Sequence, residues 1–104
     1  MTSDPRRRQR IRGPFEASWS GTSGHRAVRV ADFSANGCFV EDMASPSVGE
    51  RVVVTLRIPG GQPIEASGKV VYLYPAQGFG VAFDPDEAVA AALYAAELRV
   101  AAGS

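Results

Sequence analysis

The stretch "RVVVTLRIP", residues 51–59, places Val52, Val54, Leu56 and Ile58 at every second position, with Thr55 and Arg57 between them. Successive side chains of a strand point to opposite faces, so this spacing predicts a strand with one face in a core. Working outward, "GGQ" after Pro59 reads as a hairpin turn. "IEASGKVVYLYP" then reads as a long strand, bent or bulged at Gly68. "AQG" turns the chain again, and "FGVAF" alternates Phe79, Val81 and Phe83 against Gly80 and Ala82. Upstream, "SPSVGE" is a turn cluster and "CFVED" a short apolar run. "HRAVRVADFS" sets Val28 and Val30 on one face and Arg29 on the other, and "PFEASWS" gives a first strand closed by "SGTSG". Six short strands separated by turns predict a small antiparallel barrel or sandwich.

The C-terminal stretch "DPDEAVAAALYAAELRVAAGS" changes character. It is alanine-rich, and Val89, Leu93, Ala96 and Val100 form one stripe at helical spacing. Asp84 can cap, Pro85 suits the first helical position, and Asp86 and Glu87 complement the dipole. The expectation is one helix over about 85–101, packed on the strands, with Gly103 available to end it.

The 104 residues suit one domain with a modest core. Lys+Arg and Asp+Glu both number 11, but unevenly: residues 1–12 hold Arg6, Arg7, Arg8, Arg10 and Arg12 against one acid, Asp4. A basic arm, residues 1–12, thus precedes a mildly acidic body, residues 13–103, and its mutual repulsion predicts flexibility. The single cysteine, Cys38, excludes an intrachain disulfide and suits a reducing compartment. No signal-like or membrane-spanning apolar run is visible, which points to a cytoplasmic protein without membrane insertion.

Enzymatic chemistry finds little support. His25 is the only histidine and reads as an exposed turn residue; one His and one Cys cannot furnish a four-ligand zinc site. Cys38, at the start of an apolar strand, reads as a buried structural thiol. No nucleophile–histidine–acid arrangement and no Gly-rich, Lys-containing phosphate loop is present, so neither an enzyme nor a cofactor is expected.

"DFSANG", residues 32–37, is more informative. As local structure it is a hairpin, with Asn36-Gly37 favouring φ > 0 in a tight turn. Asp32 and Ser34 also share parity, which sets a carboxylate and a hydroxyl on one face about 7 Å apart. A carboxylate accepts two N–H bonds, as the N1–H and N2–H₂ of guanine offer, and Gly37 would admit a ligand close to the backbone. Arginine binds phosphate bidentately and reads guanine through O6 and N7. A nucleotide carrying both guanine and phosphate answers both stretches.

Arg6-x-x-x-Arg10, followed 22 positions later by "DFSANG", resembles the PilZ domain, whose ligand motif is R-x-x-x-R and then [DN]-x-S-x-x-G. "GFGVAF" looks like the closing strand of that family, and the final helix fits it too. The resemblance implies a six-stranded antiparallel β-barrel with a C-terminal helix, and binding of the bacterial second messenger cyclic di-GMP. By position it makes Arg6 and Arg10 the arm pair, Arg7 a helper, and Asp32, Ser34 and Gly37 the barrel side. Arg8-x-x-x-Arg12 also fits; Arg6/Arg10 is preferred because Ile11 can anchor the arm where it enters the barrel. An aromatic stacked on guanine, Tyr72 or Tyr74, fits the family as well. A stand-alone receptor would order its arm on the ligand and so signal to an output protein. The alternative is a PilZ-like interaction module that binds no cyclic di-GMP. A nucleic-acid binder is disfavoured, because the body is net acidic without a second basic strip.

Overall fold

The computed structural model describes residues 10–44 and 46–103. The expectations for Arg6, Arg7 and Arg8 lie outside the described residues. Six strands close into an antiparallel barrel in the order β1-β2-β3-β6-β5-β4: β1 Ile11–Gly21, β2 Gly24–Ser34, β3 Gly37–Glu41, β4 Arg51–Arg57, β5 Ile64–Tyr74 and β6 Gly78–Phe83. Helix α1, Glu87–Gly103, follows. Closure removes the unpaired edges that an open six-stranded sheet would leave.

The alternation in β4 is obeyed: Val52, Val54 and Leu56 are buried, and Ile58 follows them inward. Trp19 meets Phe79 edge-on at 5.4 Å between ring centroids, and Phe15 meets Phe33 at 5.3 Å. Leu93 and Ala96 seal one side of the core, flanked by Val89 and Val100 as the helical stripe required.

Several boundaries differ from expectation. The first strand starts at Ile11 rather than after residue 12, so Arg12 belongs to the barrel, opposite Asp32. The helix is capped by Asp86, whose Oδ1 accepts the N–H of Val89 at 3.0 Å, and begins at Glu87 instead of Pro85. Asp84 instead pairs with Arg51 across the barrel surface. The irregularity in β5 lies not at Gly68, which pairs regularly with Val52 and Phe83, but between Val70 and Tyr72. His25 is exposed but sits in β2, paired with Ser20.

A carboxylate is built into the buried layer. Asp42 accepts the indole N–H of Trp19 at 2.8 Å, the Arg26 Nε–H at 2.9 Å and the Ala44 amide at 3.0 Å. Removing the carboxylate would orphan a buried N–H. Asp42→Ala is expected to lower stability by about 1–3 kcal/mol in urea unfolding followed by Trp19 fluorescence. Met43→Ala, at the neighbouring and largely exposed position, is expected to stay within about 0.5 kcal/mol.

Two part-exposed carboxylates hold loop segments in place. Glu50 accepts the hydroxyl of Ser23 at 2.7 Å and its amide at 2.9 Å, and these bonds hold its carboxyl below the ordinary glutamate value. The guanidinium of Arg51 does the same for Asp84, first by hydrogen bonding. A depressed folded-state value means stability present above the unfolded value, about 4, and lost as pH falls through the lower folded one. Acid unfolding curves are therefore expected to weaken below about pH 4, and Glu50→Gln to flatten that limb.

Candidate functional site

Chain register creates the site. In β2 the pairing jumps from Val30↔Val40 to Asp32↔Phe39, leaving Ala31 as an extra residue. Unbroken alternation would have sent Asp32 and Ser34 to the same face as Val30, into the core. The bulge turns Asp32 outward and drops Phe33 inward instead, where it is fully buried. A second shift in β5, at Val71, turns Tyr72 outward and Leu73 inward. A third shift, in β1 between Arg12 and Phe15, leaves Ile11 and Phe15 on the core side and sets the outward Arg12 opposite Asp32.

These shifts flank one row of laterally paired residues on the outer surface. It runs Arg12–Asp32–Phe39–Gly80–Tyr72 across β1, β2, β3, β6 and β5. Neighbouring strands lie about 4.8 Å apart, so these side chains are surface neighbours although they come from the whole length of the chain.

Arg10, just before β1, reaches this row. Its Nε donates to Oδ1 of Asp32 at 2.6 Å, and a second guanidinium nitrogen contacts the same oxygen. Both side chains remain part-exposed, so the pair is a modest stabiliser, about 0–1 kcal/mol. Beside it stand Phe39, Tyr72 and Tyr74. Phe39 and Tyr72 are stacked, 21° apart in plane with centroids at 6.2 Å. Tyr74 leans against both, at 5.8 Å from Phe39 and 5.2 Å from Tyr72. Tyr72 and Tyr74 are 41% and 54% exposed, so the cluster offers aromatic surface to solvent. Burial raises the Tyr72 hydroxyl above the ordinary tyrosine value, and the charge of Arg10 partly offsets the rise. On the far side of Asp32, a shallow depression of about 330 Å³ is lined by Arg12, Gly13, Pro14, Ala31 and Glu41.

Ser34 and Gly37 pack within the β2–β3 hairpin. Ser34 is buried, and its Oγ accepts the Asn36 amide at 3.2 Å. The two turn residues are Ala35 and Asn36, neither with positive φ, and Gly37 is the first residue of β3, paired with Ser34. Its missing side chain makes room for protein backbone: a Cβ there would lie 2.2 Å from the carbonyl oxygen of Val81 in β6. The expected positive-φ Asn36-Gly37 turn is thus corrected. Cys38 is buried as expected, and burial pushes its thiol up to about 12, leaving it protonated and unreactive.

The structure therefore brings Arg10, Asp32, Tyr72 and Tyr74 together, and places Ser34 and Gly37 behind them as the hairpin that holds Asp32. Sequence reasoning missed Phe39. Its signal was present: Cys38 and Val40 flank it at core parity, so Phe39 had to face outward. The grouping supplies a cation, a carboxylate and an aromatic face, the set needed to hold a planar, anionic, hydrogen-bonding ligand. Among the described residues no group of three His, Cys, Asp or Glu side chains could hold a metal ion, and no helix is long and apolar enough to cross a membrane.

The comparisons with known proteins agree with this architecture. The chain is similar in structure to the Bacillus subtilis inhibitor of motility MotI/DgrA, with a TM-score of 0.74 at 18% identity, covering 94% of this chain and 52% of that one. It is also similar to the Borreliella burgdorferi PlzA protein, solved in complex with c-di-GMP, with a TM-score of 0.59 at 19% identity, covering 78% of this chain and 36% of that one. This chain thus spans about half the length of the first and about a third of the second. No curated protein sequence matches it. The sequence pattern of the PilZ domain matches residues 4–96, and the chain belongs to the PilZ domain family.

Proposed function

We propose that this PilZ domain is a receptor for cyclic di-GMP, acting by binding and not by catalysis. The observation that carries the reading is the junction of Arg10 and Asp32 beside the half-exposed Phe39–Tyr72–Tyr74 cluster. Asp32 accepts the guanine N–H edge, and Arg10 exchanges Asp32 for a phosphate or a guanine Hoogsteen edge. Arg6 and Arg7 add phosphate contacts from the arm. Ser34 and Gly37 act through the hairpin, because the hydroxyl is engaged within the turn and the glycine is packed against β6. Binding gathers the arm onto the barrel, and the surface so formed is what an output protein reads in a bacterial cytoplasm; no further cofactor is required.

A second reading, an interaction module without cyclic di-GMP, draws on one observation: Arg10 and Asp32 already satisfy each other. Calorimetric titration of the protein with cyclic di-GMP decides between the two, and saturable binding is expected.

Arg10→Ala is expected to weaken that binding about tenfold or more, as the loss of a charge-assisted contact of roughly 1.5–3 kcal/mol implies. Its melting temperature should stay close to that of the wild type, since the Asp32 pair is part-exposed. Wild-type affinity in Arg10→Ala would remove Arg10 from the site. Asp32→Ala is expected to lose cyclic di-GMP affinity far more than cyclic di-AMP affinity, because adenine lacks the N1–H and N2 amino donors. Equal losses for the two ligands would overturn the guanine assignment.

A further inference from the structure

Gly80 occupies an outward position of β6, between the inward Phe79 and Val81, and lies in the site row between Phe39 and Tyr72. A side chain would be expected to project there, yet none does. The space is filled from the neighbouring strand. A Cβ on Gly80 would lie 2.3 Å from Cε2 and Cζ of Tyr72 and 2.8 Å from its hydroxyl oxygen. Tyr72, the ladder partner of Gly80, therefore lays its ring across β6 and reaches Phe39 on the strand beyond. An alanine would meet ring atoms rather than backbone, so the barrel could accept it while the ring could not keep its place.

Two roles compete for this arrangement. A ring that covers a glycine across an antiparallel pair can serve the sheet alone. The surroundings favour presentation. The ring does not stop at β6 but continues into a stack with Phe39, whose own ladder partner is Asp32, and it remains 41% exposed beside the Arg10–Asp32 pair.

We propose that Gly80 is a positioning residue of the ligand site: by leaving the outward position of β6 empty, it lets Tyr72 lie flat as the platform on which a planar base stacks while Asp32 and Arg10 take its edge. The inference rests on the proposed function for the identity of the ligand, but not for the geometry of the ring.

Two measurements test it, one without ligand. In the free protein, the Gly80 backbone protons are expected to show ring-current shifts in NMR spectra that vanish in Tyr72→Ala. Absent shifts would overturn the ring placement. In calorimetry with cyclic di-GMP, Gly80→Ala is expected to weaken binding about tenfold, within the range for loss of one base–aromatic stack. Tyr72→Ala should cost a similar factor, and the double variant should bind no more weakly than Tyr72→Ala, since the ring that Gly80 positions is already gone. A further loss in the double variant would show Gly80 acting through the backbone. Unchanged binding in Gly80→Ala would show that the ring only covers the sheet. Either result overturns the proposal. Failure of the wild-type protein to bind cyclic di-GMP overturns the proposed function and the ligand half of this inference, while the ring-current result stands apart from it.

Discussion

Everything on the functional face depends on a register shift near one row of the barrel. A strand alternates inward and outward side chains without exception unless a residue is added. Extra residues at Ala31 and Val71 reverse the phase in β2 and β5, and the irregularity between Arg12 and Phe15 keeps β1 in register with the reversed part of β2. On one side of the shift Val30, Val40 and Phe79 point inward; on the other, Phe33, Cys38 and Val81 do. The row between them can therefore carry Arg12, Asp32 and Tyr72 outward without removing an apolar side chain from the core. A barrel without these bulges would bury the Asp32 carboxylate or lose its packing, and an unpaired buried carboxylate costs far more than a bulge.

The same constraint explains the glycines in the site. At Gly37 and Gly80, two strands crowd a position from outside: the β6 backbone at the first, the Tyr72 ring at the second. The motif glycine and motif serine lie within the hairpin that carries Asp32. Arg10, Asp32, Tyr72 and Tyr74 keep surface open to solvent. The Arg10–Asp32 contact also means that these two charges are matched within the protein itself.

Period-two alternation in residues 51–59, the turn residues between runs, and the alanine-rich stripe ending at Val100 were enough to specify six strands and a helix, because hydrophobic periodicity is a local property. The motif spacing pointed to Arg10 and Asp32, and the parity of "CFVED" held the outward placement of Phe39 in plain view. Tertiary structure decided the rest. Whether Asp84 or Asp86 caps the helix turned on Arg51, a residue more than thirty positions away that claims Asp84. That β5 breaks phase at Val71 instead of Gly68, and that Arg12, Asp32, Phe39, Gly80 and Tyr72 form one row, depends on how strands from distant parts of the chain are registered against each other. Local sequence sets which way a side chain alternates; only barrel closure sets which alternations meet.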